Sequence, residues 1–198
     1  LKKEIYNLKK NLIVQKKDIK KILIIGGSQG ASFFDKNITE LIIEISKKKK
    51  LDVIQQISNK NNLSSIKNKY DKSNINYKFI EFTNDSDEIY NGVDLAITRG
   101  GSSTLSELSF LNIPFISIPL PSAKDEHQFY NSEYYYKKNC CWLIDQNKFE
   151  IDKLSKMILE IFNNYQNYNE KIKNLEKIAK KNTWNNINNK IIEIIDEN

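Results

Sequence analysis

The chain has 198 residues, a formal net charge of +6 and a 39% hydrophobic composition. That is enough for one large domain with a sizeable core, and no apolar run reaches the roughly 18 residues of a membrane-spanning helix. Cys140 and Cys141 are adjacent and have no other cysteine to pair with, which excludes a disulfide framework and predicts a reduced, cytosolic protein.

The charge is almost all lysine, spread along the chain with one denser run at Lys47 to Lys50. Such a balance fits an anionic partner or a solvated surface, and the even spread favours the solvated surface. The sequence opens on Leu1 and holds a single methionine, Met157, so a preceding N-terminal part is expected. Lysine, asparagine and isoleucine dominate, a bias that erodes glycine, proline and arginine wherever nothing requires them. Five of the six glycines nevertheless lie at 26–30 and 100–101, and Arg99 is the single arginine. Pro114, Pro119 and Pro121 follow, together with the single histidine, His127. Function is sought in those windows.

In chain order, residues 1–20 are charged and weakly periodic, a linker or edge segment. The run KILII at 21–25 ends in glycine and predicts a buried parallel strand. Residues 31–46 carry a helical apolar stripe through Phe34, Ile38, Leu41, Ile42 and Ile45. Strands are then predicted at 52–57, 77–81, 94–98, 114–118 and 141–144. Helices are predicted between them at 63–70, 85–91, 102–111 and 125–138. From Phe149 onward the tail is amphipathic helix, first with Leu154, Met157, Ile158 and Ile161 on one face. A final segment carries Ile187, Ile191, Ile192 and Ile195. Alternating strands and helices give an α/β fold, a doubly wound parallel sheet with C-terminal helices. The expected division is 1–20 linker, 21–162 binding domain and 163–198 C-terminal helices. Ligands of such sheets sit beyond the carboxyl ends of the strands, where strand order reverses.

Gly26-Gly27-Ser28-Gln29-Gly30 lies between a strand and a helix. The glycines let a ligand approach the backbone, and the helix start offers N–H groups and a positive dipole end to an anion. The turn is neither a dinucleotide fingerprint nor a P-loop; alone it fits an anion site or a plain tight turn. Arg99-Gly100-Gly101-Ser102-Ser103-Thr104 repeats the pattern, with three hydroxyls in the first helical turn, where caps and phosphate donors belong. Glu107, one turn on, fits either a surface residue or an acceptor for a diol. Asp125 to Asn131 offers amide and carboxylate groups to hydroxyls. His127 has no nucleophile beside it and reads as structural rather than as a base. No cysteine spacing suits zinc. The Tyr134-Tyr135-Tyr136 run puts rings around a helix, which suggests packing and not a nucleic-acid platform.

The stretches IGGSQGA at 25–31, TRGGSSTLSEL at 98–108 and PFISIPLPSAKDEHQFYNS at 114–132 carry a family resemblance. In kind, order and spacing they are similar to the donor-binding C-terminal domain of the MurG transferases, glycosyltransferase family 28. The resemblance covers 21–145 specifically. It implies the Rossmann-like half of a GT-B fold that holds UDP-N-acetylglucosamine for transfer to a lipid-linked muramyl-pentapeptide in peptidoglycan synthesis. Ser28 and Gln29 would lie close to the donor, and Phe82 and Thr83 in the loop that cups uracil. Ser103 and Thr104 would face the diphosphate, Glu107 the ribose hydroxyls, and Gln128 the sugar with His127 beside it. Gly26, Gly27, Gly30, Gly100 and Gly101 would form the turns, with Arg99 supporting the second. No catalytic residue is expected in this chain, because the base of the family lies in an N-terminal acceptor domain. The resemblance implies no cofactor and no metal, since an Asp-x-Asp pattern is lacking. It implies a peripheral enzyme at the cytoplasmic face of the inner membrane, meeting an anionic lipid surface. Residues 56–59 (Gln56-Ile57-Ser58-Asn59) depart from the family, which often has glycine there. A stand-alone donor subunit of a split transferase and a non-catalytic UDP-sugar-binding module are the other readings.

Overall fold

A computed structural model of the chain describes residues 5, 6, 8, 19–26, 31–57, 59–81 and 85–181. The expectations for Gly27, Ser28, Gln29, Gly30, Phe82, Thr83 and the segment at 187–195 lie outside the described residues.

Among the described residues six strands form one sheet: β1 (Lys21–Ile25), β2 (Leu51–Gln56), β3 (Ile75–Ile80), β4 (Leu95–Thr98), β5 (Phe115–Ser117) and β6 (Cys141–Leu143). All neighbours pair in parallel, in the order β3-β2-β1-β4-β5-β6. The chain runs outward from β1 to β3, then returns to β4 on the other side of β1. Strand order therefore reverses between β1 and β4, which pair with Ile25 opposite Thr98.

The apolar runs are buried on both faces, as parallel sheets require. Ile22, Ile24, Leu95, Ile97 and Ile116 point into one core, and Leu23, Ile54, Ala96 and Phe115 into the other. The first face is covered by helix α1 (31–46), by α2 (Lys60–Asp71), through Ile66 and Tyr70, and by α6 (Ile151–Asn163). On the second face lie α3 (Ser86–Tyr90), α4 (Ser102–Phe110) and α5 (His127–Lys137), together with Ile5 and Leu8 near the start of the chain. The last described helix, α7 (Tyr165–Lys181), contributes to both. Its Tyr168 joins the first core, where the hydroxyl donates to the Asp94 carbonyl at 2.7 Å, and its Leu175 and Ile178 join the second.

The sequence read α1 as one regular helix, but Phe34–Ile38 is a π turn that buries Asp35. Helix α2 starts earlier than the apolar stripe suggested, because the Asn59 side chain accepts the Asn61 N–H and caps it. Helix α5 starts two residues later than predicted: Asp125 and Glu126 are left-handed, with φ of 51° and 50°. The tyrosine run is corrected too. Only Tyr135 is buried, while Tyr134 and Tyr136 are exposed together with Phe129 and Tyr130.

At the end of the sheet Cys140 and Cys141 are fully enclosed. Beside them Lys171 is buried, donates to Asn139 Oδ1 at 2.8 Å and rests over the Trp142 ring at 4.4 Å. Burial raises the Cys140 thiol to about 11 and the Cys141 thiol to about 12, against a partial offset from Lys171. Both groups therefore remain thiols at neutral and mildly alkaline pH, and the thiolate is the reactive form. At pH 8 a thiol reagent such as Ellman's should find neither cysteine in the folded chain and both after addition of denaturant. Rapid labelling before unfolding would contradict the packing described.

Candidate functional site

The carboxyl edge of β4 is organised by Arg99. Its guanidinium Nη1 donates to the carbonyls of Ile118 and Pro119, at 3.0 and 3.4 Å, and to Gln146 Oε1 at 2.5 Å. Its other side lies over the rings of Phe34 and Phe33, at 4.7 and 5.2 Å. Burial lowers its pKa to about 10, so it keeps its charge at neutral pH. The two phenylalanines belong to the first turns of α1, the helix that follows the first glycine turn. Arg99 thus ties β4, β5, the segment before α6 and the start of α1 together at one edge of the sheet.

Gly100 follows, and its lack of a side chain is a requirement of space. A Cβ there would lie 2.0 Å from the Gln128 carbonyl oxygen and 2.6 Å from Ser132 Oγ. The contact is reinforced by Asn131, whose Nδ2 donates to the Gly100 carbonyl at 3.0 Å. Ser132 Oγ donates to the Gln128 carbonyl and shares a buried 2.7 Å hydrogen bond with Ser117 at the end of β5. The first turn of α5 is thereby seated on the second glycine turn.

Gly101 differs. Its φ is −68°, and an added Cβ would meet nothing within 4 Å. It stands at the N-cap of α4, where no side chain caps the helix and the first turn contains no acidic residue. Ser102 and Ser103 are exposed and Thr104 is half-buried. The result is a positive helix end, rimmed by hydroxyls and facing open space, an arrangement suited to an anion. Glu107 lies four residues after Ser103 and so on the same face. Its Oε2 accepts the Tyr90 hydroxyl at 2.6 Å.

Gln128 is half-buried, and its Oε1 accepts the Leu120 N–H at 3.0 Å, which leaves the amide N–H groups as its means of contact with a ligand. The exposed His127 places Nδ1 2.6 Å from the Lys124 carbonyl. A carbonyl only accepts, so Nδ1 carries a proton and donates it to that carbonyl. Gly26 is buried at the end of β1. The structure therefore gathers Arg99, Gly100, Gly101, Ser103, Thr104, Glu107, His127 and Gln128 around the carboxyl ends of β4 and β5, beside the end of β1. Sequence reasoning missed Tyr90, Gln146, Phe33 and Phe34 as partners of this set. None carries a motif, and Phe34 stood only in an apolar stripe.

A groove of about 470 Å³ lies at the opposite, amino-terminal edge of β1 to β3, lined by Lys21, Asp52, Asn76, Lys78, Asp87 and Glu88 among others. Its polar groups engage one another: Lys78 pairs with Glu88 at 2.9 Å, and Asn76 donates to Asp52 at 2.8 Å. It presents no set of groups comparable to the α4 start. Among the described residues, no group of three or more His, Cys, Asp or Glu is arranged to hold a metal. No described helix is long and apolar enough to cross a membrane.

An uncapped helix start at the switch point of a doubly wound sheet is where α/β domains of this kind take anionic ligands. The family profile "Glycosyltransferase family 28 C-terminal domain" matches residues 21–187, and the chain belongs to that family. It is 42% identical, over all of its length, to a protein of Pelagibacter ubique. That relative is named UDP-N-acetylglucosamine–N-acetylmuramyl-(pentapeptide) pyrophosphoryl-undecaprenol N-acetylglucosamine transferase, and the match covers 55% of it. A protein of the same name in Rickettsia felis is 39% identical over 83% of this chain and 46% of its own length. The chain thus spans about half the length of the curated relatives it matches. In fold it is similar to the crystal structure of Acinetobacter baumannii MurG, with a TM-score of 0.70, 21% identity and coverage of 87% of this chain and 48% of that one. It is also similar to the glycosyltransferase VinC, solved in complex with dTDP, with a TM-score of 0.61, 11% identity and coverage of 84% and 38%. The architecture is the Rossmann-like domain of a GT-B glycosyltransferase.

The two glycines of the second turn make opposite predictions. Gly100→Ala should cost about 3 kcal/mol or more by forcing backbone against backbone. Gly101→Ala should cost no more than about 1 kcal/mol, the ordinary preference for glycine over alanine at an N-cap. Chemical denaturation of both variants checks this, and equal effects would contradict the geometry.

Proposed function

We propose that this chain is the donor-binding half of an inverting transferase, holding UDP-N-acetylglucosamine for transfer to a lipid-linked muramyl-pentapeptide. The observation that carries the reading is the uncapped start of α4 at the β1–β4 switch point, with Glu107 one turn after Ser103. One helical turn rises 5.4 Å, roughly the span from the ribose hydroxyls of a nucleotide to its 5′-phosphate. The relatives' shared name supplies the donor and the acceptor.

In this reading the diphosphate sits at the N–H groups and hydroxyls of Ser103 and Thr104, and Glu107 accepts the ribose hydroxyls. Gln128 donates its amide to the sugar, with His127 at the rim. Ser28 and Gln29 complete the diphosphate side, and Phe82 and Thr83 the base side. As the acceptor hydroxyl attacks the anomeric carbon, the bond to UDP breaks and negative charge grows on the diphosphate. Fixed dipoles and hydroxyls already aimed at that charge stabilise the transition state. The acceptor and its base come from the half of the relatives that this chain does not span. Residues 1–20 then connect to that half, 21–162 form the donor domain, and 163–198 are C-terminal helices. The acceptor being lipid-linked, the whole enzyme works at the cytoplasmic face of an anionic membrane.

Calorimetry of the 198-residue chain should show saturable binding of UDP and UDP-N-acetylglucosamine. No heat with either would sink the proposal. Glu107→Ala should weaken UDP by about 1–3 kcal/mol through loss of a charged acceptor. Gly101→Ala, a small cost to folding, should also weaken UDP, because its methyl group would occupy the open space assigned to the diphosphate.

A further inference from the structure

Tyr90 is the last residue of α3, a short helix whose start is capped by Asp85, whose side chain accepts the N–H groups of Asp87 and Glu88. The tyrosine is 1% exposed and lies in the core beneath α4. Its hydroxyl donates to Oε2 of Glu107 across 17 residues of sequence, at 2.6 Å. A hydrogen bond to an ionised acceptor is short and strong. Burial first, and then the Glu107 carboxylate, raise the tyrosine pKa far above its ordinary value, so at any physiological pH the hydroxyl holds its proton and acts as a donor.

We infer that Tyr90 is the positioning residue for ribose recognition: it fixes the Glu107 carboxylate in the orientation that accepts the 2′- and 3′-hydroxyls of the nucleotide. The inference rests on the assignment of Glu107 to the ribose. A carboxylate offers about four lone-pair sites on its two oxygens. Tyr90 occupies one of those on Oε2, and the rest of the half-buried group stays open to a diol. A glutamate on a helix surface would otherwise sample several rotamers, and ordering it would subtract from affinity. The tyrosine bears that ordering in the free protein. Because both hydroxyls of the diol must find acceptors at fixed positions, the same contact separates ribose from 2′-deoxyribose nucleotides.

The test measures UDP and 2′-deoxy-UDP binding to the 198-residue chain and to its Y90F, E107A and E107D variants, with a denaturation midpoint for each. Y90F removes one oxygen and keeps the buried ring. It is expected to weaken UDP about 3- to 10-fold, the effect of one side chain newly ordered on binding. It should weaken 2′-deoxy-UDP less, because only the 3′-hydroxyl of that ligand still uses the carboxylate, so that the ratio between the two ligands shrinks. A merely structural loss would weaken both ligands alike. E107D keeps the charge but draws it back from Tyr90, and should shrink the ratio in the same way. If E107A leaves the ratio at its wild-type value, the ribose assignment of Glu107 is wrong. If E107A collapses the ratio while Y90F or E107D preserves it, the assignment stands and the role of Tyr90 is overturned.

Discussion

Backbone meets backbone where Gly100 passes under the first turn of α5, and the rest of the site is built around that approach. With no room for a single carbon between Gly100 and the Gln128 carbonyl, the start of α5 and the start of α4 cannot move independently. Arg99, one residue earlier, extends the same constraint across the sheet edge through the rings of α1 and the carbonyls that follow β5. A helix end is useful to a charged ligand only if its N–H groups are already aimed before the ligand arrives. Here the aim is set by packing, and the groups at the tip of α4 need no capping side chain to hold it.

Seating α5 so tightly has a local consequence. The chain leaves Pro121 and must enter the helix at His127 with the Gln128 carbonyl against Gly100. It makes the entry through two consecutive left-handed residues, Asp125 and Glu126, neither of them glycine. Such conformations are uncommon outside glycine, with aspartate among the better tolerated. They persist because the hydrogen bonds of Asn131 to Gly100 and of Ser132 to Ser117 hold the helix in place. Gln128 is ordered by the same turn, through the Leu120 N–H.

The sheet and most of its helices were legible in the sequence because a parallel strand buried on both faces leaves an unmistakable apolar run. KILII at 21–25 and PFISI at 114–118 are cases in point. The second glycine turn was legible because a composition that disfavours glycine retains it there. Gly100, however, was expected to let a ligand approach the backbone, and what approaches it is the first turn of α5. What escaped were contacts between side chains far apart in sequence. Nothing in the residues around Tyr90 tells that its hydroxyl meets Glu107, and nothing near Phe33 and Phe34 foretells an arginine 65 residues later. The π turn in α1 and the left-handed entry to α5 escaped for a related reason: tertiary packing imposes both on sequences with ordinary helical periodicity.

The central place of β1 also bears on how the molecule is made. Its two neighbours arrive at very different times: β2 begins at Leu51 and β4 only at Leu95. During synthesis, the edge of β1 that will receive β4 is therefore bare while two further strands and their helices are added. An apolar strand with an open ladder is a template for unwanted pairing, and pairing between such distant segments is intrinsically slow. On the function proposed above, the anion site at the start of α4 comes into being only when β4 docks, so nucleotide added during refolding would report completion of the sheet, not its beginnings. It would also draw the chain out of the aggregation-prone stage by mass action.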